Sequence, residues 1–224
     1  MELNFFNFGK GVMAYGPRVI TPLARIAFPK LDQPSGDYNK YGCTLLFDKN
    51  DEGQKEQLKK LQAVCVEMAD LFCKQLFKEV NKTFDEKKYA AFKAEVVASM
   101  AGRPFLKSGD TSKYEDFHGM WVINPNSKNQ PVILDGKRAE DFKSGVLVRA
   151  EVQPAISKQG YSYGLIAIRL VKDDGKRFGG TGSAAPSEQL WGNFKDEVAA
   201  ASEGTALGEF AEEGSAKDVF DGLM

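Results

Sequence analysis

The sequence is short of most of what enzyme chemistry and membrane insertion need. It holds one histidine, His118, and three cysteines, Cys43, Cys65 and Cys73. There is no Cys-x-x-Cys pair, and one histidine cannot complete a zinc site with thiols spaced this way, so no metal and no cofactor is expected. Cys65 and Cys73 lie eight apart in a helical pattern and read as reduced, buried thiols of a cytosolic protein. No run approaches the ~18 apolar residues that read as a membrane span. Met1-Glu-Leu-Asn-Phe-Phe-Asn-Phe has neither the basic start nor the apolar core of a signal peptide. The expectation is a soluble, cytoplasmic protein without a membrane partner. Gly179-Gly-Thr-Gly lacks the spacing of a phosphate-binding loop, and no helix clearly follows it as a dinucleotide fingerprint requires. The acids are scattered. Glu115-Asp116 is the nearest approach to a carboxylate pair, and it reads as a loop cap. No set of residues argues for catalysis, so the chain is not expected to be an enzyme.

Charge of one sign is missing from the total but not from the parts. The formal net charge is −1 over 224 residues. Residues 185–224 hold nine acids against Lys195 and Lys217, a net −7, which leaves +6 on the rest. Glycine, serine, alanine and acids dominate after Phe178. Such a segment buries too little apolar surface to offset its ordering entropy, so a disordered acidic tail over 184–224 is expected, hung from a body over 1–183.

The body centres on Tyr114 to Arg177. Short runs rich in β-formers, Met120 to Asn124, Gln130 to Leu134, Gly145 to Gln153 and Tyr161 to Val171, alternate with turn residues. This is the writing of a small antiparallel barrel or sandwich. Ser157-Lys-Gln-Gly predicts a hairpin turn. Upstream, Arg18 to Phe28 predicts a strand confined to an edge or a bulged position, because Pro17, Pro22 and Pro29 interrupt it. Leu31 to Lys40 predicts a loop, and Tyr41 to Phe47 a strand. The aromatic start (Phe5, Phe6, Phe8, Tyr15) suits either a first edge strand or an arm that docks on a partner. Between the early and late strands the period changes. Leu58, Leu61, Cys65, Met68, Phe72 and Leu76 step by three and four, which predicts an amphipathic helix, and a second helix is expected from about Asp85 to Met100. The fold class is therefore mainly β with inserted helices (α+β), the insertion covering about 51–100. Arg103 to His118 reads as a long polar loop, a feature that is usually functional or mobile.

Rings recur beside cations through this body. Tyr38 and Tyr41 flank Lys40, and Phe105 lies between Arg103 and Lys107. Tyr114 follows Lys113, Tyr161 and Tyr163 follow Lys158, and Phe178 follows Lys176 and Arg177. Single-stranded nucleic acid is held by such a combination, with rings that stack on bases and cations that follow phosphates. The expected surface comprises Tyr38, Lys40, Tyr41, Arg103, Phe105, Lys107, Lys113, Tyr114, Phe117, Trp121, Arg149, Lys158, Tyr161, Tyr163, Lys176 and Arg177. The acidic tail is expected to repel or compete with nucleic acid and to offer Asp218, Phe220, Asp221 and Leu223 to a partner protein.

The order of strand, strand, helical block, Phe117-His-Gly-Met-Trp-Val-Ile-Asn, Pro131-Val-Ile-Leu-Asp, two long strands and an acidic tail resembles the phage-encoded single-stranded-DNA-binding proteins with an OB fold. That family was long catalogued as a domain of unknown function. The resemblance covers roughly residues 10–180. It implies an OB-like barrel that coats single-stranded DNA, without catalysis, during phage replication, recombination or repair in the host cytoplasm. It also implies a tail that recruits replication proteins such as polymerase or helicase. Related tails often finish on an aromatic residue, whereas this chain ends Gly222-Leu-Met with Phe220 upstream. A homodimer is compatible with this reading. Two other readings share the residues: an RNA-binding or annealing protein on the same barrel, and a peptide-binding interaction module.

Overall fold

The register of the strands shows how the body closes. The structure, a computed structural model, describes residues 1–8, 11–81 and 83–178. In chain order its first strands are β1 (Asn4–Phe8), β2 (Gly11–Tyr15), β3 (Val19–Ile20), β4 (Ala24–Ser35) and β5 (Lys40–Asp48). Helices α1 (Glu52–Val80) and α2 (Glu86–Ser99) follow. Then come β6 (Lys107–Ser108), β7 (Met120–Ile123), β8 (Asn126–Ser127), β9 (Val132–Ile133), β10 (Leu147–Ser157) and β11 (Gly160–Lys172). Strand β4 pairs with β5 and with β10, β10 pairs with β11, β11 with β8, and β8 with β5. The ladder returns to its starting strand, which is a closed five-membered barrel. All its pairs are antiparallel except β8 on β11, where Asn126 meets Gly164. This is the OB-like α+β architecture expected from the sequence.

Strands β7 and β8 are one strand interrupted by Pro125. Ile123 opposes Leu45 and Asn126 opposes Gly42, in an unbroken register, and Pro125 still accepts the Cys43 N–H at 3.1 Å. A proline can accept in a ladder but cannot donate. Gly42 is required there, because a Cβ would fall 2.8 Å from the Pro125 carbonyl oxygen.

Strand β4 departs from expectation. It runs through Pro29 and Pro34 to Ser35, across the segment expected to be a loop. Its pairing with β5 shifts between Ala27 and Lys30, and Phe28 sits in that bulge with φ +48°. The bulge absorbs Pro29, which the ladder could not otherwise accommodate. The segment 103–118, expected to be an irregular loop, contains β6 and two 3-10 turns, Gly109–Thr111 and Glu115–Phe117. The tight β10–β11 hairpin turns at Lys158-Gln159 as the sequence predicts.

Alternation sorts the barrel's side chains. Ile26, Cys43, Leu45, Phe47, Ile123, Val146, Val148, Val152, Leu165 and Ile168 fill its interior. The N-terminal half of α1 joins that core through Leu58, Leu61 and Cys65. The C-terminal half of α1, with Met68, Phe72, Cys73, Leu76 and Phe77, packs instead with α2 and the β1–β2 hairpin. One periodic stripe thus serves two cores. Asp51 caps α1 by accepting the Gln54 N–H, and Asp85 caps α2 by accepting the Lys88 N–H.

Helix α2 is tied to α1 at Asp70, whose carboxylate pairs with Lys74 and Lys93, both at 2.7 Å. Hydrogen bonds from these two ammonium groups draw the Asp70 carboxyl down to about 2. A depressed carboxyl contributes stability that is present above its unfolded value near 3.9 and is lost as pH falls through the folded value. Amide protection across α2, measured as exchange relative to the intrinsic rate at each pH, is therefore expected to fall between about pH 4 and pH 2, and less so in Asp70→Asn, which has no charge to lose. An equal loss of protection in both proteins would remove Asp70 from this role.

Candidate nucleic-acid interface

The outer face of β4, β5 and β7 carries the rings. Ala27, Leu46 and Val122 point outward there and are covered by Phe117 and Phe178, with Tyr114 and Met120 packed against them. Phe28 extends this cover. Its ring lies 5.0 Å from Tyr114 and 5.9 Å from Phe117, and those two are 5.3 Å apart. Phe28 is nevertheless exposed, and its N–H is held at 3.0 Å by the Ser144 hydroxyl. A positive φ in a bulky residue costs on the order of 1–3 kcal/mol and persists where surrounding structure enforces it. Here the strain turns an aromatic ring outward at the rim of a cleft.

That cleft, of about 340 Å3, is lined by Phe28, Lys30, Tyr38, Lys40, Tyr41 and Thr44 among others. Tyr38 sits in the β4–β5 turn, is 79 % exposed, and has the Lys40 ammonium 5.7 Å from its ring. On the floor the Thr44 hydroxyl donates to Asn124 Oδ1 at 2.8 Å across the paired strands. Asn124 and Asn126 also line a second, smaller cleft of about 160 Å3 with Arg103, Phe105, Lys107, Tyr161 and Tyr163. The two hollows share a wall and lie side by side.

The expected site residues therefore divide. Tyr38, Lys40 and Tyr41 come together in the first cleft, and Arg103, Phe105 and Lys107 border the second. Lys113 lies with its ammonium 5.1 Å over the Tyr114 ring, and Lys176 5.3 Å over Phe178, so both cations belong to the outer ring cluster. Phe117 is buried beneath that cluster and presents no open face. Tyr163 is buried as well. Its hydroxyl donates to the Phe105 carbonyl at 2.5 Å, and its ring packs in the barrel core. The reading of Phe117 and Tyr163 as stacking rings is corrected here, because a base cannot reach a face that protein already covers. Tyr161 is half-buried, and its hydroxyl donates to the Cys65 carbonyl on α1 at 2.8 Å.

The remaining residues lie apart from the clefts or are already engaged. Trp121 stands under the Lys49 ammonium at 4.6 Å in a hollow it shares with Lys55, Leu58, Lys59 and Phe105. Arg149 donates to the Thr21 carbonyl on the barrel wall that carries Glu151 and Arg169. Lys158 is at the hairpin tip, where its carbonyl accepts the Ser99 hydroxyl. Arg177 forks onto Asp173 with both contacts at 2.7 Å. The tail residues Asp218, Phe220, Asp221 and Leu223, and the expected boundary near 183, lie outside the described residues. Sequence reasoning missed Phe28 and Lys30. The only sequence signal for Phe28 was Pro29 breaking the alternation after it.

The chemistry available is adhesion, through open rings, ammonium groups and amide and hydroxyl dipoles. Among the described residues no group of three or more His, Cys, Asp or Glu could hold a metal. No described helix is long and apolar enough to cross a membrane.

No curated protein matches the sequence. Among solved structures, the single-stranded DNA-binding protein from bacteriophage Enc34 aligns at 22 % identity and a TM-score of 0.47, over 85 % of this chain and 99 % of that one. The same protein in complex with single-stranded DNA aligns at 22 % and 0.47, over 78 % and 96 %. The single-stranded DNA-binding protein encoded by bacteriophage T7 aligns at 13 % and 0.43, over 88 % and 100 %. These likenesses are too loose to transfer any residue's role. The family model described as the single-stranded DNA-binding protein of Enterobacter phage Enc34 matches residues 17–199, most of the chain and the whole of the barrel. The chain thus belongs to the phage Enc34 single-stranded DNA-binding protein family.

Proposed function

We propose that this protein binds single-stranded DNA without sequence preference and without catalysis, coating it during phage replication and recombination. The observation that carries the proposal is the meeting of Phe28, Tyr38 and Tyr41 with Lys30 and Lys40 on one concave face, in a chain of this family. Open rings accept any base by stacking, at about 1–3 kcal/mol each, and flexible ammonium groups follow the phosphates. The route runs from the β4–β5 turn across Asn124 and Asn126 toward Arg103 and Lys107. Lys113, Tyr114 and Lys176 flank it as a second bank of cation and ring. Titration with oligo-dT, followed by fluorescence anisotropy at several salt concentrations and repeated with duplex DNA, tests the reading. Single strands are expected to bind far more tightly than duplex, with log K falling against log salt by about 0.7 for each phosphate contacted. Equal affinity for duplex, or indifference to salt, would overturn it.

The tail's part in this function is electrostatic. Residues 185–224 carry −7 and the body +6, so the tail opposes phosphates for the same cations. Deleting 185–224 is expected to tighten oligo-dT binding several-fold at low salt. The gain should fade toward 1 M salt, where the screening length shrinks to ~3 Å. Unchanged affinity at low salt would count against competition. The segment with Asp218, Phe220, Asp221 and Leu223 would then be the part offered to replication proteins such as polymerase or helicase. Pull-down of these proteins by full-length but not tail-less protein tests that role.

A further inference from the structure

We propose that the hollow beside Trp121 is a further subsite for single-stranded DNA, in which Lys55 and Lys59 of α1 take phosphates. The inference rests on the reading of the β4–β5 cleft as the DNA site, and it carries the strand past the 103–107 segment onto the first turns of α1.

Three hollows adjoin one another. The cleft of Phe28, Tyr38 and Lys40 shares Asn124 and Asn126 with the cleft of Arg103 and Lys107. That second cleft shares Phe105 with a third hollow of about 460 Å3, whose lining includes Lys55, Leu58, Lys59, Leu106 and Trp121. Strand pairing explains the adjacency. Lys107 lies opposite Val122 and Ser108 opposite Trp121, so the chain arriving at β6 runs beside β7 and contributes to both hollows. On the other side, Lys55, Leu58, Lys59 and Gln62 recur at helical spacing and share one face of α1.

The chemistry repeats that of the first cleft, with rings beside flexible cations. Lys49 lies over the Trp121 ring at 4.6 Å and is itself tied to Asp110 at 2.5 Å and to the Ser108 hydroxyl at 2.7 Å, so it fixes the ring. Lys55 and Lys59 are held less firmly. Their partners are Glu52 at 2.5 Å and Glu56 at 3.4 Å, each three residues back on the same helix, and both carboxylates are exposed. Surface pairs of this kind contribute little and are screened by salt, so a phosphate can displace them. Leu58 and Leu106 give the hollow an apolar lining for a base that meets Trp121 or Phe105. An acidic, apolar peptide would meet the same groups. The adjoining cleft favours DNA, because a strand lying there reaches this hollow by its own continuation.

The test uses the full-length protein with Trp191→Phe, which leaves Trp121 as the only tryptophan. Oligo-dT of about 16 nucleotides, the upper site size of one OB fold, is expected to quench Trp121 emission in step with its own anisotropy change. Replacing Lys55 and Lys59 together with glutamine should weaken binding on the order of tenfold near 0.1 M salt. The slope of log K against log salt should fall by about 1.4, for two phosphates at about 0.7 each. Lys78→Gln with Lys88→Gln removes the same charge from the end of α1 and the start of α2. Lys78 is roughly 30 Å along α1 from the hollow, beyond the screening length of ~10 Å at that salt, so this control should keep the wild-type slope. Oligo-dT that binds while either the emission or the Lys55/Lys59 slope stays unmoved overturns the subsite and leaves the β4–β5 cleft standing. An equal fall in slope in the control pair also overturns it. Quenching by a synthetic peptide of residues 215–224, without quenching by oligo-dT, would give the hollow to an acidic peptide instead. Oligo-dT that does not bind at all overturns the subsite and the proposed function together.

Discussion

Replacing Phe28 with glycine and Tyr38 with alanine together is expected to weaken oligo-dT binding by at least about 30-fold, while the melting temperature moves by less than about 4 °C. Each ring removed forfeits one stacking platform, and about 1 kcal/mol each is the lower bound for the pair. Stability is spared for opposite reasons at the two sites. Tyr38 is 79 % exposed in a turn and holds little up. Phe28 loses its ring contacts with Tyr114 and Phe117, worth about 0.5–1.5 kcal/mol each. Glycine at φ +48° meanwhile releases strain of similar size. Affinity and stability should thus separate at this residue. A loss of less than about threefold in affinity would remove the β4–β5 cleft from the site, and a collapse in stability would mean that the Phe28 ring is core.

The second large effect is on folding. Tyr163→Ala is expected to cost about 3–5 kcal/mol, as for other large aromatic truncations in cores, which lowers the melting temperature by about 6–20 °C. Its ring is 5 % exposed, and its hydroxyl secures the Phe105 carbonyl in the strand-poor segment after α2. Tyr163→Phe keeps the ring and leaves that carbonyl unpaired, so about 1–3 kcal/mol should be lost. Burial pushes both the Tyr161 and Tyr163 phenols far above their ordinary range, so both remain donors over the whole pH range of the folded protein. Thermal denaturation of the two Tyr163 variants, with oligo-dT binding measured well below their melting points, checks this. A Tyr163→Ala protein that melts like wild type and binds DNA poorly would restore the tyrosine to the surface.

Where the sequence spoke clearly, a single period carried the message. The α1 stripe from Leu58 to Leu76 steps by three and four without interruption, and β10 alternates half-buried and buried residues from Leu147 to Pro154, so both could be read directly. The site was harder for two physical reasons. Tyr161 and Tyr163 are two apart and so share a face of β11, but nothing local says whether that face looks inward. The answer depends on α1 and the 103–106 segment arriving from elsewhere in the chain. Phe28 was hidden differently. A positive φ at a residue that is not glycine is imposed by the bulge opposite β5 and leaves no mark on the residue's own identity. The cations beside Tyr38 and Tyr114 were legible because turn and loop residues keep their neighbours in sequence as neighbours in space.

Barrel closure also sets a timetable for synthesis. Strand β10 is the partner of β2, β3 and β4, yet it begins at Leu147, more than a hundred residues after Tyr15 leaves the ribosome. At about 5–20 residues per second that interval is roughly 7–26 s. Helices α1 and α2 need only contacts within residues 52–99 to begin forming during the wait, whereas the N-terminal hairpin has no barrel wall to join. For those seconds the nascent chain carries an aromatic ribbon with both edges free, and polysomes crowd many copies together. A holdase that shields the first fifteen residues would then raise the yield of folded protein without altering its final stability.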